Sequence, residues 1–316
     1  MSFIVLGTGS RLPSRMVNNC ELSRFLDTSD EWISQRVGIR ERRVCTTETT
    51  AELACEAAKA ALEMSGVKPE ELDMIICATI SADHAAPSLA CTLQSMIGAT
   101  CPSMDINAAC SGFIYALETA AGFFARGAKK VLVVGAERLT SLIDWTDRGT
   151  AVIFADGAGA MVLGEGSAYL SSKLYARGNE TVLCIPAATG SSPYYENEKQ
   201  DPYIRMNGQE TFKFAVKAMC TDLTEVVDSA GLAMEDIAWI VPHQANARII
   251  DTAIKRLGIP PGRCLKNIGK IGNTSAASVP ILADELFRSG KLSDGDHIAM
   301  CSFGAGLTSA ACIIKI

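Results

Sequence analysis

Four short stretches of this 316-residue sequence carry side chains able to do chemistry together. The first is DINAACSGF at 105–113, where a buried strand should end, two alanines follow and Cys110 stands at the start of a helix. Unpaired N–H groups and the helix dipole there favour a thiolate, which predicts a lowered thiol pKa. Ala108, Ala109, Ser111 and Gly112 are small and leave room for a substrate at a tight turn. A small buried hydrophobe at a close-packed helix start accounts for the same residues equally well. The second stretch is WIVPHQAN, whose His243 ends an apolar strand at a βα loop, where α/β proteins place ligands. The other histidines lack that setting: His84 lies in the loop SADHAAPS and His297 in the hydrophilic DGDH. In the third, GKIGNTSAAS, Asn273 opens a helix, as an ordinary N-cap would. The fourth, SFGAGLTS at 302–309, is a glycine-rich turn without the lysine and following helix of a phosphate-binding loop. Its alternatives are a bare β-turn and a turn offering N–H groups to an oxyanion. Converging, a thiol, a histidine, an asparagine and N–H donors suit acyl transfer through a thioester.

Convergence requires a fold that brings positions 110, 243, 273 and 302–309 to one place. Strand-like and helix-like segments alternate along most of the chain. Phe3 to Leu6 reads as a strand, and Thr28 to Glu31 is a capping box opening a short helix through Arg36. A second box, Thr49 to Glu52, precedes an alanine-rich helix ending near Gly66. Strand 74–78, a helix between Pro87 and Gly98, strand 104–107, a helix from Cys110 to Gly127 and strand 131–134 follow. The second half repeats this course with strand 239–241, helix 245–257, a helix from near Asn273, and strands 298–301 and 309–314. The apolar runs are continuous, as in buried strands of α/β proteins. MIIC pairs with WIVP, VLVVGAE with IAMCSFGAG, and GAGAMVLG with LTSAACII. These pairings predict a pseudo-duplicated α/β fold whose first half, 1–165, carries the cysteine. The second half, 166–316, carries the histidine and asparagine. Residues 165–207 are polar, have no counterpart in this alignment and read as a connection with a flap.

Composition narrows the function classes. With 29 Lys+Arg against 35 Asp+Glu the formal charge is −6, which argues against nucleic acid as the main partner. No apolar run reaches membrane-spanning length, and MSFIVLGTG lacks the pattern of a signal peptide, so no membrane association and a cytosolic location are expected. Twelve cysteines include no CxxC pair and no histidine at ligand spacing, so no metal site is expected and most should be small buried hydrophobes.

Taken together, AACSGF with Cys110, VPHQAN with His243, GNTSAAS with Asn273 and the turn FGAGLT resemble β-ketoacyl-acyl-carrier-protein synthase III. The resemblance runs from LGTGSRLPSR to the last strand. It implies a thiolase-like, pseudo-duplicated five-layer αβαβα fold, a homodimer, and initiation of type II fatty-acid synthesis without a metal or organic cofactor. In such an enzyme Cys110 takes the acyl group from acyl-CoA, and His243 with Asn273 stabilises the enolate left when malonyl-acyl-carrier-protein loses CO2. N–H groups of Cys110 and Ala305 form the oxyanion hole, each such donor being worth about 3 kcal/mol. Trp32, Arg36, Arg148 and Asn246 match CoA-binding positions, while Ala86, Leu139 and Phe154 match the acyl pocket. The basic residues Arg248, Lys255 and Arg256 lie on the helix after His243; Arg248 and Lys255 are two turns apart and share a face suited to an acidic carrier protein.

Two positions depart from the family's habit. Val37 stands where many relatives have Thr, which removes one polar contact to CoA. Ala86 replaces a frequent Phe that reaches across the dimer to close the partner's acyl tunnel, so primers longer or bulkier than acetyl are expected. The alternatives are a condensing enzyme of a specialised pathway using another thioester pair, and a non-catalytic acyl-CoA or carrier-protein binding module.

Overall fold

The computed structural model describes residues 2–187, 193–194 and 201–316. Its first sheet comprises β1 (Ser2–Arg11), β2 (Met74–Ala78), β3 (Ser103–Ile106), β4 (Lys130–Arg138) and β5 (Asp156–Gly166), in the spatial order β1-β5-β4-β2-β3. Neighbours β2 and β3, and β2 and β4, run parallel, whereas β5 is antiparallel to both β1 and β4. Helices α1 (Thr50–Ser65), α2 (Leu89–Ile97) and α3 (Gly112–Ala125) belong to this half. The second sheet takes β6 (Tyr169–Ala176), β7 (Ile237–Pro242), β8 (His297–Gly304) and β9 (Thr308–Lys315) in the order β7-β8-β9-β6. Its helices are α4 (Gly208–Ser229), α5 (Ala247–Arg256) and α6 (Ser278–Arg288).

The duplication expected from the paired segments is the architecture. Reading β6-β9-β8-β7 against β1-β5-β4-β2 reproduces the same parallel and antiparallel pairings. A parallel bridge from Ile240 to Cys264 stands where β3 pairs β2. Burial orders the layers. Val131, Val133, Phe113, Leu117, Leu282, Leu286, Ile298 and Met300 form one core, so α3 and α6 fill the space between the sheets. Leu53, Ala57 and Leu93 cover the other face of the first sheet, and Leu223, Val227 and Ile250 cover that of the second. Alternate residues of β4 join different cores because strand side chains point to opposite faces. The result is αβαβα.

Several boundaries differ from expectation for local reasons. The capping box at Thr49 and Glu52 forms, but before Asp30 the cap is Ser29, whose side chain accepts the Trp32 N–H, rather than Thr28. Ser88 caps α2 through the Cys91 N–H, so the helix opens two residues past Pro87. Residues 169–176 do have a counterpart: they form β6, the equivalent of β1, and pair with β9. Beyond them a short pair, Leu183–Cys184 with Arg205–Met206, lies near the cavity described below. Part of the expected flap, residues 188–192 and 195–200, lies outside the described residues.

Candidate active site

Cys110 sits in a single 3₁₀ turn, Ala109–Ser111, between β3 and α3. It is therefore one turn before the helix proper, and it is only 7 % exposed. Burial pushes its thiol up to about 12, with a smaller lowering contribution from Ser275. The direction is opposite to the lowering expected from a helix start, because removal from water favours the neutral thiol. The turn 305–307 closes over it. A Cβ placed on Gly304 would come 2.7 Å from the Cys110 nitrogen, so glycine is required for the two backbones to approach. Thr308 Oγ1 lies 3.0 Å from the Ala108 carbonyl and 2.9 Å from that of Ala305, which ties the nucleophile's turn to the one carrying Ala305.

His243 follows β7, and its N–H donates to the Cys301 carbonyl at 2.7 Å. The next side chain anchors the loop: Gln244 Nε2 donates to Pro242 O, and Oε1 accepts the N–H groups of Asn267 and Ile268. Burial lowers the His243 pKa to about 3, so the imidazole is neutral at neutral pH. Its Nδ1 lies 2.6 Å from Ser278 Oγ, which also accepts the Gln244 N–H at 3.3 Å. With the Ser278 proton turned to Nδ1, the imidazole proton resides on Nε2. The Phe303 ring meets His243 edge-on at 5.3 Å between centroids.

Asn273 does not begin a helix; α6 starts five residues later, after the 3₁₀ turn Ser275–Ala277. Its backbone is clamped to the strand-like segment at Phe154, donating to Ile153 O and accepting from Ala155 N. The side-chain Oδ1 accepts the Ser275 N–H at 2.9 Å, leaving the amide NH2 as the group available to donate.

These three residues line one cavity of about 920 Å³, large enough for a thioester substrate's reacting end and arm. Phe154, Phe303 and Val37 are on its apolar wall. Trp32, Arg36, Asn246 and Arg248 also line it. The Trp32 ring carries the Arg36 guanidinium 5.8 Å and the Arg148 guanidinium 5.1 Å from its centroid. Asn246 Nδ2 donates to the Arg36 carbonyl, and its Oδ1 caps α5 by accepting the Arg248 N–H. Leu139 is fully buried and belongs to the same cluster as the cavity residues Phe154 and Val37, standing behind that wall rather than at its surface. Ala86 is exposed and away from its own chain's cavity. Lys255 and Arg256 are exposed on α5 beyond the cavity, whereas Arg248 stands at it, stacked over Phe212 at 5.8 Å.

Reading the sequence missed Ser278, Ser275, Phe303 and Glu137. The first three lie inside motifs already singled out, GNTSAAS and SFGAG, but nothing in their spacing reveals which neighbour each touches. Among the described residues no group of three or more His, Cys, Asp or Glu side chains is set to hold a metal, no helix is long and apolar enough to cross a membrane, and all twelve cysteines are unpaired.

Comparison with known proteins agrees with this geometry. The family 3-oxoacyl-[acyl-carrier-protein (ACP)] synthase III matches residues 104–178, and its C-terminal family matches residues 227–316. The β-ketoacyl-[acyl-carrier-protein] synthase III of Caldanaerobacter subterraneus subsp. tengcongensis is 48% identical, covering 98% of this chain and 97% of that protein. The crystal structure of 3-oxoacyl-[acyl-carrier-protein] synthase III from Aquifex aeolicus superposes with a TM-score of 0.93 at 43% identity, over 99% of this chain and 100% of that one. The priming β-ketosynthase of the R1128 polyketide pathway superposes with a TM-score of 0.93 at 35% identity, over 100% and 96%. With full-length similarity, a thiolase-type duplication and a thiol, an imidazole and an amide on one cavity, this chain belongs to the β-ketoacyl-[acyl-carrier-protein] synthase III family.

Proposed function

We propose that the protein joins an acyl-CoA primer to malonyl-acyl-carrier-protein with loss of CO2, giving β-ketoacyl-acyl-carrier-protein and free CoA and so initiating type II fatty-acid synthesis. The observation that carries this reading is the shared cavity: Cys110, His243 and Asn273 line it, as does Trp32, whose ring has two guanidinium groups near it. The indole and the two arginines suit an adenine ring and phosphates. Cys110 attacks the primer thioester, and CoA leaves as the thiolate. His243, through Nε2–H, and Asn273, through its amide, donate to the malonyl thioester oxygen as CO2 departs, holding the enolate without a full charge of their own. The enolate carbon then attacks acyl-Cys110, with the N–H groups of Cys110 and Ala305 holding the oxyanion. Neither step draws on a metal or organic cofactor.

The basic side chains Arg248, Lys255 and Arg256 would receive the acidic carrier protein, the first of them at the cavity itself. The working form is a cytosolic homodimer in this reading, with Ala86 of one protomer near the other's acyl tunnel. A priming role in a specialised pathway is the second reading, favoured by the likeness to the R1128 enzyme. Mass spectrometry after exposure to acetyl-, butyryl-, isobutyryl- and octanoyl-CoA tests the proposal. One acyl adduct on Cys110, released on adding malonyl-carrier-protein with CO2, is expected, and chains longer than acetyl should load. No adduct with any primer would overturn the reading. Loading confined to acetyl-CoA and unchanged in Ala86→Phe would overturn the primer assignment alone.

A further inference from the structure

The two N–H groups read above as the oxyanion hole come from opposite halves of the chain, Cys110 before α3 and Ala305 between β8 and β9. How far apart they stand is set by whatever joins the two turns. The side chain that spans them is that of Thr308, the buried first residue of β9. Its Oγ1 has three polar neighbours: Ala305 O at 2.9 Å, Ala108 O at 3.0 Å and Ser111 Oγ at 3.2 Å. Proton accounting assigns the bonds. Carbonyls only accept, so the single Thr308 proton is shared between Ala305 O and Ala108 O, and the fully buried Ser111 hydroxyl donates to Oγ1. Ala108 O also accepts the Ser111 N–H at 3.1 Å, which closes a ring of hydrogen bonds at the nucleophile's turn.

The turn is drawn tightly onto this side chain. A Cβ on Gly306, whose φ is +136°, would come 2.7 Å from Thr308 Cγ2, so the backbone folds back directly against the threonine. The outer side of the turn is held separately: the Arg177 N–H donates to Leu307 O at 2.8 Å, and the Asn179 N–H to Gly306 O at 2.6 Å. Gly306 and Leu307 are thus fixed to the 177–179 segment by backbone bonds. Ala305, the residue that carries the donor, is fixed to the nucleophile's turn through the Thr308 hydroxyl. His243 and Asn273 stand outside this network. The first is bonded to Cys301 O and Ser278 Oγ, the second to Ile153 O and to the N–H groups of Ala155 and Ser275.

We propose that Thr308 is a positioning residue for the oxyanion hole, its hydroxyl setting the spacing at which the Cys110 and Ala305 N–H groups reach one oxygen. The consequence is selective. Charge develops on the primer carbonyl oxygen when Cys110 attacks, and on the acyl-Cys110 carbonyl oxygen when the enolate carbon attacks. Both oxygens lie in the hole. The enolate oxygen formed as CO2 departs is instead held by His243 and Asn273, whose bonds do not pass through Thr308. Fixed donors lower a barrier because they need no reorganisation as charge forms, and misplacement by an ångström costs about 10²-fold. Thr308 therefore serves the two acyl-transfer steps and leaves decarboxylation alone.

This inference rests on the function proposed above, so the test reads acyl loading and decarboxylation separately. Thr308→Val keeps the shape of the side chain and removes the hydroxyl. Its burst of free CoA from acetyl-CoA should slow by roughly thirtyfold, at an unchanged half-saturating acetyl-CoA concentration. Decarboxylation of malonyl-carrier-protein without primer should stay within about twofold of the wild type. Thr308→Ser keeps the hydroxyl and loses the methyl, and should bring loading back to within about threefold. In acetyl-Cys110 of Thr308→Val, the infrared carbonyl stretch should rise toward that of a free thioester, because the two donors no longer converge on it. Ser111→Ala frees the tie on one side and should slow loading about threefold, again with decarboxylation intact. Wild-type loading and carbonyl stretch in a folded Thr308→Val would overturn the assignment. Equal losses in both half-reactions, or no rescue by Thr308→Ser, would overturn it as well, leaving Thr308 a packing residue. If Thr308→Val does not fold, Ser111→Ala decides, and wild-type loading in that variant overturns the tie. A wild-type protein that forms no acyl-Cys110 would instead overturn the function proposed above.

Discussion

The two strand-to-helix turns of the halves, 107–112 and 273–278, share a backbone and divide the chemistry. Each begins with an asparagine whose Oδ1 accepts the N–H two residues on, at 3.3 Å for Asn107 and 2.9 Å for Asn273. Each continues through a residue of positive φ into a 3₁₀ turn and then a helix. The fourth residue is Cys110 in one and Ala276 in the other. Asn107 is exposed, whereas Asn273 is only 4 % exposed and lines the cavity. One turn therefore offers its fourth residue to the substrate and the other its first. Duplication supplied a turn geometry, and side-chain choice at two positions within it separated nucleophile from enolate donor.

Three experiments break or sharpen this contrast. Asn273→Ala should lower malonyl decarboxylation by roughly 10²-fold or more while acyl loading continues, because one enolate donor is gone. The matched Asn107→Ala should leave both half-reactions within twofold and cost about 1 kcal/mol of stability from the lost turn bond. Equal damage to activity from both substitutions would show that the asparagines serve only the backbone. Next in size, Ser278→Ala removes the hydroxyl on His243 Nδ1, and decarboxylation should fall about tenfold as the imidazole loses its fixed tautomer. Acyl loading in that variant should match the wild type; a parallel loss would place His243 in the loading step instead.

The smallest effects concern stability against pH. His243 titrates near 6.5 when unfolded and near 3 when folded, so its contribution is intact above about pH 6.5 and is lost as pH falls toward 3. Glu137 runs the other way, from about 4.5 unfolded to about 7 folded, so its contribution is intact below about 4.5 and lost as pH rises through 7. Relative to the wild type, His243→Gln should gain on acidification from pH 7 to 5, and Glu137→Gln on going from pH 5 to 8. Shifts of a few degrees in thermal melts are expected, since each pH unit within a window corresponds to about 1.4 kcal/mol. Melting curves that move in the same direction for both variants would contradict the opposite burial costs assigned to the two groups.

The layer order and the three cavity residues were legible because they rest on patterns local in sequence: apolar runs, helix stops at Gly98 and Gly258, and small residues around Cys110. The sign of the Cys110 shift was not, because a dipole is visible in sequence and desolvation is not. Tyr169 to Ala176 escaped notice as a repeat element since its strand is half exposed and lacks a continuous apolar run. That Leu139 stands behind the Phe154 wall rather than at its surface was not legible, because one residue's depth depends on which neighbours fill the gap. Glu137 was hidden inside VLVVGAE, where a carboxyl closing an apolar strand reads as the point at which the strand meets solvent. In the fold that point lies under the other half.

The glycine at 304 also has a consequence during synthesis. Its backbone is the lid over Cys110, and it is made long after the nucleophile leaves the ribosome, on the order of ten to forty seconds at ordinary elongation rates. For that interval the first half can collapse on its own apolar faces while its thiol still lacks the covering that raises its pKa. An unfinished chain thus carries a more acidic, more oxidisable Cys110 than the finished protein does. Any stall in translation between the halves would concentrate chemical damage on that one side chain, and the completed fold would seal the damage in.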